Sequence, residues 1–239
     1  MVSHQYRCIC IHIPKTAGKR VQKCFGLDSW QKHKDLCRYA RELGPRVFAS
    51  YYKFTMVRNP WERLLSDYNF QQKKDAPAGQ KLFTRDERGR RRRFHEWVEA
   101  VLSDPWRYGP DQWGAEVSAD IHRWSPQLDW ISLEGKVAVD RVLRLENLPE
   151  DFTALCRRLG LPSRELPCCN WKFHWHYSHH YDGATQRWVE QYYEKDIETF
   201  RYRFDSGRGT FRWLVPERLG VLLRGRVRAR LGQARGKGG

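Results

Sequence analysis

The stretch CICIHIPKTAGKR, residues 8–20, joins an apolar run to a short polar loop that contains a glycine and three cations. The run from Tyr6 to His12 has the length and the β-branched, apolar composition of a buried parallel strand. Gly18 and the pattern after it predict a turn that leads into a helix. This order places backbone N–H groups and the positive end of a helix dipole beside the cations. The stretch therefore predicts a cradle for a phosphate or sulfate group.

A second strand and helix follow in YYKFTMVRNPW, residues 51–61. The strand-like run ends at Arg58 and Asn59, and Pro60 suits the first turn of a helix. The residues after it, WERLLSDYNF, have apolar side chains at helical spacing. Two such units predict an α/β fold with a site at the carboxyl ends of the strands.

Further elements are predicted from the same kinds of pattern. The polar segment after about residue 71 is predicted to be a loop, because it is rich in charge, proline and glycine. We expect helices at His33–Leu43 (ended by Gly44 and Pro45), Phe94–Leu102, Leu148–Leu159 and Thr185–Phe200, and strands at Leu128–Leu133 and Val137–Leu145.

Composition favours a single domain with anionic partners. The chain has 239 residues, of which 40% are hydrophobic, and 44 Lys and Arg against 28 acidic residues give a net charge of +16. Such a charge favours nucleotides, nucleic acid, acidic polysaccharides or a membrane surface. There is no apolar run long enough to span a bilayer and no signal-peptide pattern, so we expect a cytoplasmic protein. The seven scattered cysteines are typical of reduced core thiols.

The loop after the first strand differs from a Walker A loop. The pattern G-x-x-x-x-G-K-[ST], aligned on Gly18 and Lys19, requires glycine at position 13 and Ser or Thr at position 20. The chain has Ile13 and Arg20 instead. Without the hydroxyl the usual Mg²⁺ ligand is missing, so the sequence favours a transfer reaction that needs no metal.

The stretches IHIPKTAGKR and YKFTMVRNPWERLLSDY resemble the two nucleotide-binding motifs of the carbohydrate-type (Golgi-type) sulfotransferases of sulfotransferase family 2. The stretches HRWSPQLDWI, VDRVLRLENLPEDFTALCRRLGLP and YYEKDIETFRYRF are similar to later parts of that family, so the resemblance covers about residues 6–204. It implies a P-loop NTPase-like three-layer fold, with a central, mainly parallel sheet flanked by helices. It also implies a sulfotransferase domain at 1–205 that uses 3′-phosphoadenosine 5′-phosphosulfate (PAPS), and it leaves 206–239 as a basic Arg/Gly-rich tail. The family pattern usually continues K-T-A-G-T-S, whereas this chain has Lys19 and Arg20 in place of the two hydroxyls.

The resemblance implies roles for individual residues. Lys15 would contact the 5′-phosphosulfate and stabilise the leaving oxygen, which gains negative charge in the transition state. Arg58 and Ser66 would hold the 3′-phosphate, unless Arg58 merely pairs with a nearby carboxylate and Ser66 only packs. The remaining donor contacts would come from Thr16, Ala17, Gly18, Lys19 and Arg20 in the first loop, and from Asn170, Lys172 and Tyr177 in a loop that closes over the nucleotide.

A general base should accept the proton of the acceptor hydroxyl. In the related enzymes it is commonly a His or Glu after the first helix, and His33 lies at about that position. Histidine has a suitable proton affinity near neutrality. Because Lys32 and Lys34 flank His33, a solvated surface histidine is the alternative interpretation. His122 is the second candidate, and Arg123 and Gln127 are candidate acceptor contacts.

Three other features carry weaker predictions. CCNWKFHWHYSHHYD, residues 168–182, is rich in metal-ligand types but matches no familiar zinc spacing, so we expect no metal. RGRRRR, residues 88–93, is either a solvated face or a contact for an acidic polysaccharide or phosphate backbone. The tail from Arg218 to Gly239 suits a membrane-surface helix, an intersubunit helix or disorder.

The sequence therefore favours a PAPS-dependent sulfotransferase acting on a hydroxyl acceptor, most simply a carbohydrate, which could be acidic. Two alternatives remain. A P-loop kinase or NTPase would use VAVD, residues 137–140, as its Walker B strand. A nucleic-acid-binding protein without catalysis would use the basic surface and the aromatic residues.

Overall fold

The computed structural model describes residues 1–25, 32–73, 83–162 and 176–206. Four strands form the central sheet in the order β1-β2-β3-β6, and β4 and β5 form a separate two-stranded sheet. The strands are β1 (Val2–Ser3), β2 (Cys8–Ile11), β3 (Tyr52–Val57), β4 (Ser132–Leu133), β5 (Lys136–Val137) and β6 (Arg141–Arg144). The helices are α1 (Gly18–Cys24), α2 (Leu36–Ser50), α3 (Pro60–Gln71), α4 (Phe94–Ser103), α5 (Leu148–Leu159), α6 (Gly183–Tyr192) and α7 (Glu194–Phe200).

The central sheet is mainly parallel, as predicted. β3 pairs in parallel with β2 on one side and with β6 on the other, and only β1 is antiparallel. Cys8 lies opposite Tyr52, and Phe54 lies opposite Arg141. Parallel strands end at a common edge, so the residues that follow β2 and β3 meet there.

Both faces of the sheet are covered, which explains why β2 has no polar residue. Successive side chains of a strand point to opposite faces. Ile9 and Ile11 accordingly belong to the apolar cluster that contains Trp61, whereas Cys8 and Cys10 belong to the cluster that contains Val21, Phe152 and Leu155. Helices thus flank the sheet on both sides, which confirms the α/β class.

The helix predicted at His33–Leu43 has different bounds. It begins at Leu36, because the Asp35 carboxylate accepts hydrogen bonds from the backbone N–H groups of Cys37 and Arg38. It continues to Ser50 across a kink at Gly44, where φ is 71°. His33 lies outside the helix, in an isolated parallel bridge with Ala115.

The strand predicted at Leu128–Leu133 is largely wrong. Asp129–Ile131 form a 3₁₀ helix, and only Ser132 and Leu133 are extended. The reason is the Asp196 carboxylate, which accepts hydrogen bonds from the backbone N–H groups of Gln127 and Leu128 and so turns the chain.

Two other predicted elements are divided. The run Val137–Leu145 is interrupted before Asp140, whose carboxylate accepts a 2.6 Å hydrogen bond from the N–H of Lys53. The helix predicted at Thr185–Phe200 is two helices, α6 and α7, that meet at Tyr193. Helices close to the predicted bounds form at α4 and α5.

Met1–Asp205 form one compact unit. Of the tail, the structure describes only Ser206, so the assignment of 206–239 as a separate segment stays a prediction. Within the described ranges, no helix is long and apolar enough to cross a membrane. The five described cysteines, Cys8, Cys10, Cys24, Cys37 and Cys156, are free thiols.

Candidate active site

The loop between β2 and α1 has a special backbone. Lys15 and Ala17 have φ values of 70° and 69°, in the left-handed region that residues other than glycine rarely enter. The buried hydroxyl of Thr16 donates a 2.9 Å hydrogen bond to the carbonyl of Ile13 and so holds the loop curved. Left-handed positions of this kind occur in loops that present successive N–H groups to an anion. The Thr16 hydroxyl therefore stabilises the loop, and the loop would contact a ligand through its backbone N–H groups.

Gly18 is required at the end of this loop. A Cβ atom at this position would lie 1.9 Å from Cδ2 of the His12 imidazole. Only glycine permits such a close approach of another group to the backbone. Lys19 and Arg20 follow in the first turn of α1, where Lys19 is exposed.

Lys15 lies in a half-buried position among charged neighbours. Its ammonium group is 4.2 Å from the centroid of the Phe70 ring. Burial lowers the pKa of Lys15 to about 7; the Asp67 carboxylate opposes this shift, and the charges of Arg123 and Arg58 add to it. Its charge state near neutral pH therefore responds to whatever anion binds beside it.

Arg58 joins the two sequence motifs. Its Nη1 donates a 3.3 Å hydrogen bond to the carbonyl of Lys15, and its Nη2 lies 3.3 Å from a carboxylate oxygen of Glu62. Its Nε is buried and has no hydrogen-bond partner among the described residues. A buried donor in that state costs about 1–3 kcal/mol, which an anionic ligand would offset by accepting from it. An unpaired N–H at this position could donate to a bound anion.

Ser66 lies one helical turn after Glu62 on the same face of α3. It is half-buried, and its hydroxyl forms no hydrogen bond with another described residue. Glu62, which sequence reasoning did not single out, thus stands between the two residues predicted to hold the 3′-phosphate. The sequence feature that indicates Glu62 is its position four residues from both Arg58 and Ser66.

His33 is buried, with 5% of its surface exposed, so it is not a solvated surface histidine. Its Nδ1 lies 2.7 Å from the carbonyl oxygen of His12, which can only accept, so Nδ1 carries the ring proton and Nε2 carries the lone pair. The rings of His12, Trp113 and Trp130 surround it. Burial lowers the pKa of His33 to about 3, so the imidazole is neutral at pH 7. A neutral ring with a fixed tautomer has the lone pair that a general base requires, but a pKa of about 3 makes this imidazole a weak proton acceptor at pH 7.

His122 has the opposite arrangement. Its Nδ1 accepts a 3.2 Å hydrogen bond from the N–H of Trp124, so its Nε2 carries the proton and donates to the Tyr192 hydroxyl at 3.1 Å. Burial lowers the pKa of His122 to about 4, and the Arg63 charge adds to the shift. Both nitrogens of His122 are therefore engaged within the fold, and its tautomer is the reverse of that of His33.

Arg123 forms a buried ion pair with Asp67 at 2.6 Å. Asp67 also accepts hydrogen bonds from Trp124 Nε1 and Gln71 Nε2. Burial alone would raise the pKa of Asp67, but the charge and hydrogen bonds of Arg123 outweigh it and hold the pKa below its ordinary value. Arg123, which was predicted to contact the acceptor, is therefore engaged in this ion pair. The charges of the pair also affect the pKa values of Lys15 and His33.

Gln127, the other predicted acceptor contact, is fully buried. Its side-chain oxygen accepts from the N–H of Arg58 at 2.9 Å, and its amide nitrogen donates to the carbonyl of Arg58 at 2.8 Å. These two bonds fix the backbone that carries the Arg58 guanidinium, so in this structure Gln127 positions Arg58.

Arg63 is a site residue that sequence reasoning missed. It is buried, and its guanidinium donates to the carbonyls of Pro14, Ser125 and Arg123 at 3.2, 3.0 and 3.1 Å. It therefore ties the first loop to the segment that contains His122. The only sequence signal was an arginine among the apolar positions of α3.

The loop predicted to close over the nucleotide is described in part. Asn170 and Lys172, with Cys168, Cys169 and His174, lie outside the described residues. Tyr177 is buried, its ring contacts Phe204, and its hydroxyl accepts a 2.6 Å hydrogen bond from the N–H of Asp205. His176 lies 3.5 Å from the Asp205 carboxylate, and the described residues contain no group of three or more metal-ligand side chains.

Comparison with known proteins identifies the family. Searches of curated proteins and of solved structures found no match. A family model described as "Sulfotransferase family" matches residues 1–203, which include the first loop, Arg58, Ser66, His33 and the Asp67–Arg123 pair. The chain therefore belongs to sulfotransferase family 2, whose members are transferases that move a sulfuryl group to a hydroxyl acceptor.

Proposed function

We propose that the protein is a PAPS-dependent sulfotransferase that acts on a carbohydrate hydroxyl without a metal ion. Family membership supports sulfuryl transfer, and the substrates are our proposal. The observation that carries the proposal is the contact of Arg58 with the Lys15 carbonyl, together with the buried Nε of Arg58, which has no partner among the described residues. This contact brings two anion-binding elements to one edge of the sheet. The Arg at position 20, in place of a Mg²⁺-binding hydroxyl, supports a reaction without metal.

Arg58 and Ser66 are assigned to the 3′-phosphate. A guanidinium binds two oxygens of a phosphate as a fork, and a hydroxyl supplies one further hydrogen bond. Glu62 now occupies part of that fork at 3.3 Å. Binding of the phosphate would replace this carboxylate with an anion that also reaches the buried Nε.

Lys15 and the backbone of Thr16, Ala17 and Gly18 are assigned to the 5′-phosphosulfate. In the reaction the acceptor oxygen forms a bond to sulfur, and the bond between sulfur and the bridging oxygen breaks. Negative charge grows on that bridging oxygen, which departs with the phosphate. The Lys15 ammonium would stabilise this charge more in the transition state than in the ground state.

His33 is assigned as the base. Its Nε2 has the lone pair, because Nδ1–H is bound to the carbonyl of His12. The same His12 contributes the ring that packs against Gly18, so the base and the first loop share one support. His33 Nε2 would receive the proton of the attacking hydroxyl.

A carbohydrate acceptor is supported by exposed aromatic surface near this edge. Trp106 is 53% exposed and packs on His122, with ring centroids 4.7 Å apart. Arg63 connects the segment after His122 to the first loop. Exposed aromatic rings with a polar edge suit the apolar faces and hydroxyls of sugars.

The test is calorimetric titration with 3′-phosphoadenosine 5′-phosphate and with adenosine 5′-phosphate, which lacks the 3′-phosphate. We expect tighter binding of the first ligand, and a loss of about 10- to 100-fold in Arg58→Ala that removes the difference between the two. Arg46→Ala removes a surface arginine on α2 and is the control. Equal binding of both ligands by the unaltered protein would contradict the donor assignment.

A further inference from the structure

A cleft lies at the amino-terminal ends of the parallel strands, opposite the ends that carry the first loop and Arg58. Arg7 directly precedes β2, Tyr52 opens β3, Asp140 directly precedes β6, and Arg158 comes from the end of α5. The first loop and Arg58 follow the other ends of the same strands. β3 has six residues, so about 20 Å of strand separates the two edges. We call this cleft of about 320 Å³ the basal cleft; its volume is within the range of about 300–1,000 Å³ typical of ligand sites.

The basal cleft carries an excess of positive charge. Among the described residues that line it, Asp140 provides the one carboxylate, which accepts from the N–H of Lys53 and lies 3.6 Å from the Lys53 ammonium. Lys53 also donates to two backbone carbonyls. Neither Arg7 nor Arg158 forms an ion pair with any described residue, and both are exposed. Two guanidinium groups are therefore available to an anion.

Aromatic side chains lie among these charges. The guanidinium of Arg158 is 5.4 Å from the centroid of the Tyr52 ring, and Tyr6 and Tyr51 also line the cleft. Guanidinium groups bind sulfate and carboxylate groups as forks. Tyrosine supplies a ring for apolar faces and a hydroxyl for hydrogen bonds. Because Arg158 already covers the Tyr52 ring, the cleft suits a hydroxyl-rich anion better than a nucleotide base that needs an open ring face.

We propose that the basal cleft binds an acidic saccharide that carries sulfate or carboxylate groups. The proposal does not depend on the donor or on the reaction. The other basic segment, residues 88–93, is a weaker candidate because two of its arginines already form ion pairs. Arg90 pairs with Asp86 at 2.8 Å, and Arg93 pairs with Glu96 at 3.0 Å.

The experiment titrates the full chain with a trisulfated heparin disaccharide and with N-acetyllactosamine, which is neutral. We expect binding of the sulfated sugar only. The variant with Arg7→Ala and Arg158→Ala should bind it at least 10-fold more weakly, while the variant with Arg88→Ala and Arg90→Ala, which loses the same charge, should bind within twofold of the unaltered protein. Hydrogen exchange should show protection of residues 50–53 when the sugar binds.

Four results would overturn the proposal: an equal loss in both double variants, no loss in either, protection confined to other segments, or equally tight binding of adenosine 5′-phosphate in the same cleft. Lys15→Ala provides the link to the donor site. It should retain the disaccharide, and loss of saccharide binding in this variant would move the ligand to the first loop and contradict the basal cleft. Failure of 3′-phosphoadenosine 5′-phosphate to bind bears only on the donor assignment.

Discussion

Lys15 has a pKa near 7 because burial disfavours its charged form. A bound phosphate favours that charge, so ligand binding should take up a proton when Lys15 is neutral. We expect the affinity for 3′-phosphoadenosine 5′-phosphate to fall between pH 7.5 and 9.5, by up to about tenfold per pH unit. Calorimetry in buffers of different ionisation enthalpy measures the proton uptake.

The control is Lys15→Arg, which keeps a positive charge over the whole range. Its affinity should be nearly constant between the same pH values. An equal decline in this variant would show that another group titrates.

Glu62 pairs with the side of the Arg58 guanidinium to which we assign the 3′-phosphate. Glu62→Gln removes the charge and keeps the shape, so we expect binding of 3′-phosphoadenosine 5′-phosphate to tighten by about 3- to 10-fold. Glu96→Gln, at a half-buried position in the first turn of α4, should leave it unchanged. Weaker binding in Glu62→Gln would mean that the carboxylate holds Arg58 in its binding position.

Gly18 lacks space for any side chain because of the His12 ring. Gly18→Ala should therefore move either the ring or the loop, and we expect loss of donor binding by about tenfold or more together with lower stability. Gly109→Ala is the matched control, since a Cβ there meets nothing within 4 Å. Calorimetry and thermal unfolding of both variants check the difference, and normal donor binding by Gly18→Ala would contradict it.

Among the helices, α3 carries a charged carboxylate, that of Asp67, on its buried face. Asp67 is buried together with Arg123, and four hydrogen bonds from side chains converge on its carboxylate. Asp67→Asn leaves the Arg123 charge buried without a counter-charge. We expect a loss of about 3–5 kcal/mol in the free energy of unfolding, measured by urea denaturation.

The double variant Asp67→Leu with Arg123→Met tests the cause. Replacing both partners by apolar residues removes the uncompensated charge, so most of the lost stability should return. A double variant as unstable as Asp67→Asn would show that packing, and not charge, dominates at this position.

The elements that position the site were largely predictable from local patterns. The apolar run before Pro14 and the sequence RNPW after β3 contain their own strand and helix signals, since Asn59 caps α3 with its side chain and Pro60 opens it. Hydrophobic periodicity does not show the start of α2, which depends on the Asp35 cap. Nor does it show the 3₁₀ helix at Asp129–Ile131, which depends on the distant carboxylate of Asp196.

The surroundings of His33 could not be predicted from its neighbours in sequence. Lys32 and Lys34 suggest a solvated segment, yet both lysines pair with Glu116 at the surface while His33 points inward. The bridge between His33 and Ala115 joins positions 82 residues apart, and only tertiary structure creates it. For the same reason the partners of Arg123 and Gln127 were not apparent.

For the whole molecule, buried neutral histidines make stability depend on pH. Burial lowers the pKa of His33 to about 3, lowers that of His122 to about 4 and lowers that of His12 well below its ordinary value. Between these values and the ordinary pKa near 6.5, the unfolded chain binds more protons than the folded one, so stability falls as pH falls.

We therefore expect the free energy of unfolding to decrease from pH 7 to pH 5, by up to about 1.4 kcal/mol per pH unit for each histidine. Urea denaturation at each pH measures the slope. His33→Phe should reduce that slope, whereas Gly109→Ala, which removes no titratable group, should leave it unchanged. A slope that is identical in all three proteins would contradict the assignment.

The alternation along β2 has a consequence for experiments on folding. Cys8 and Cys10 are almost wholly buried, and burial raises the pKa of both thiols to about 12. A thiol in that state is protonated and inaccessible, hence inert to alkylating reagents. Reaction at these two sulfurs requires the sheet to open. The rate at which Cys8 and Cys10 are alkylated therefore reports how often the protein unfolds.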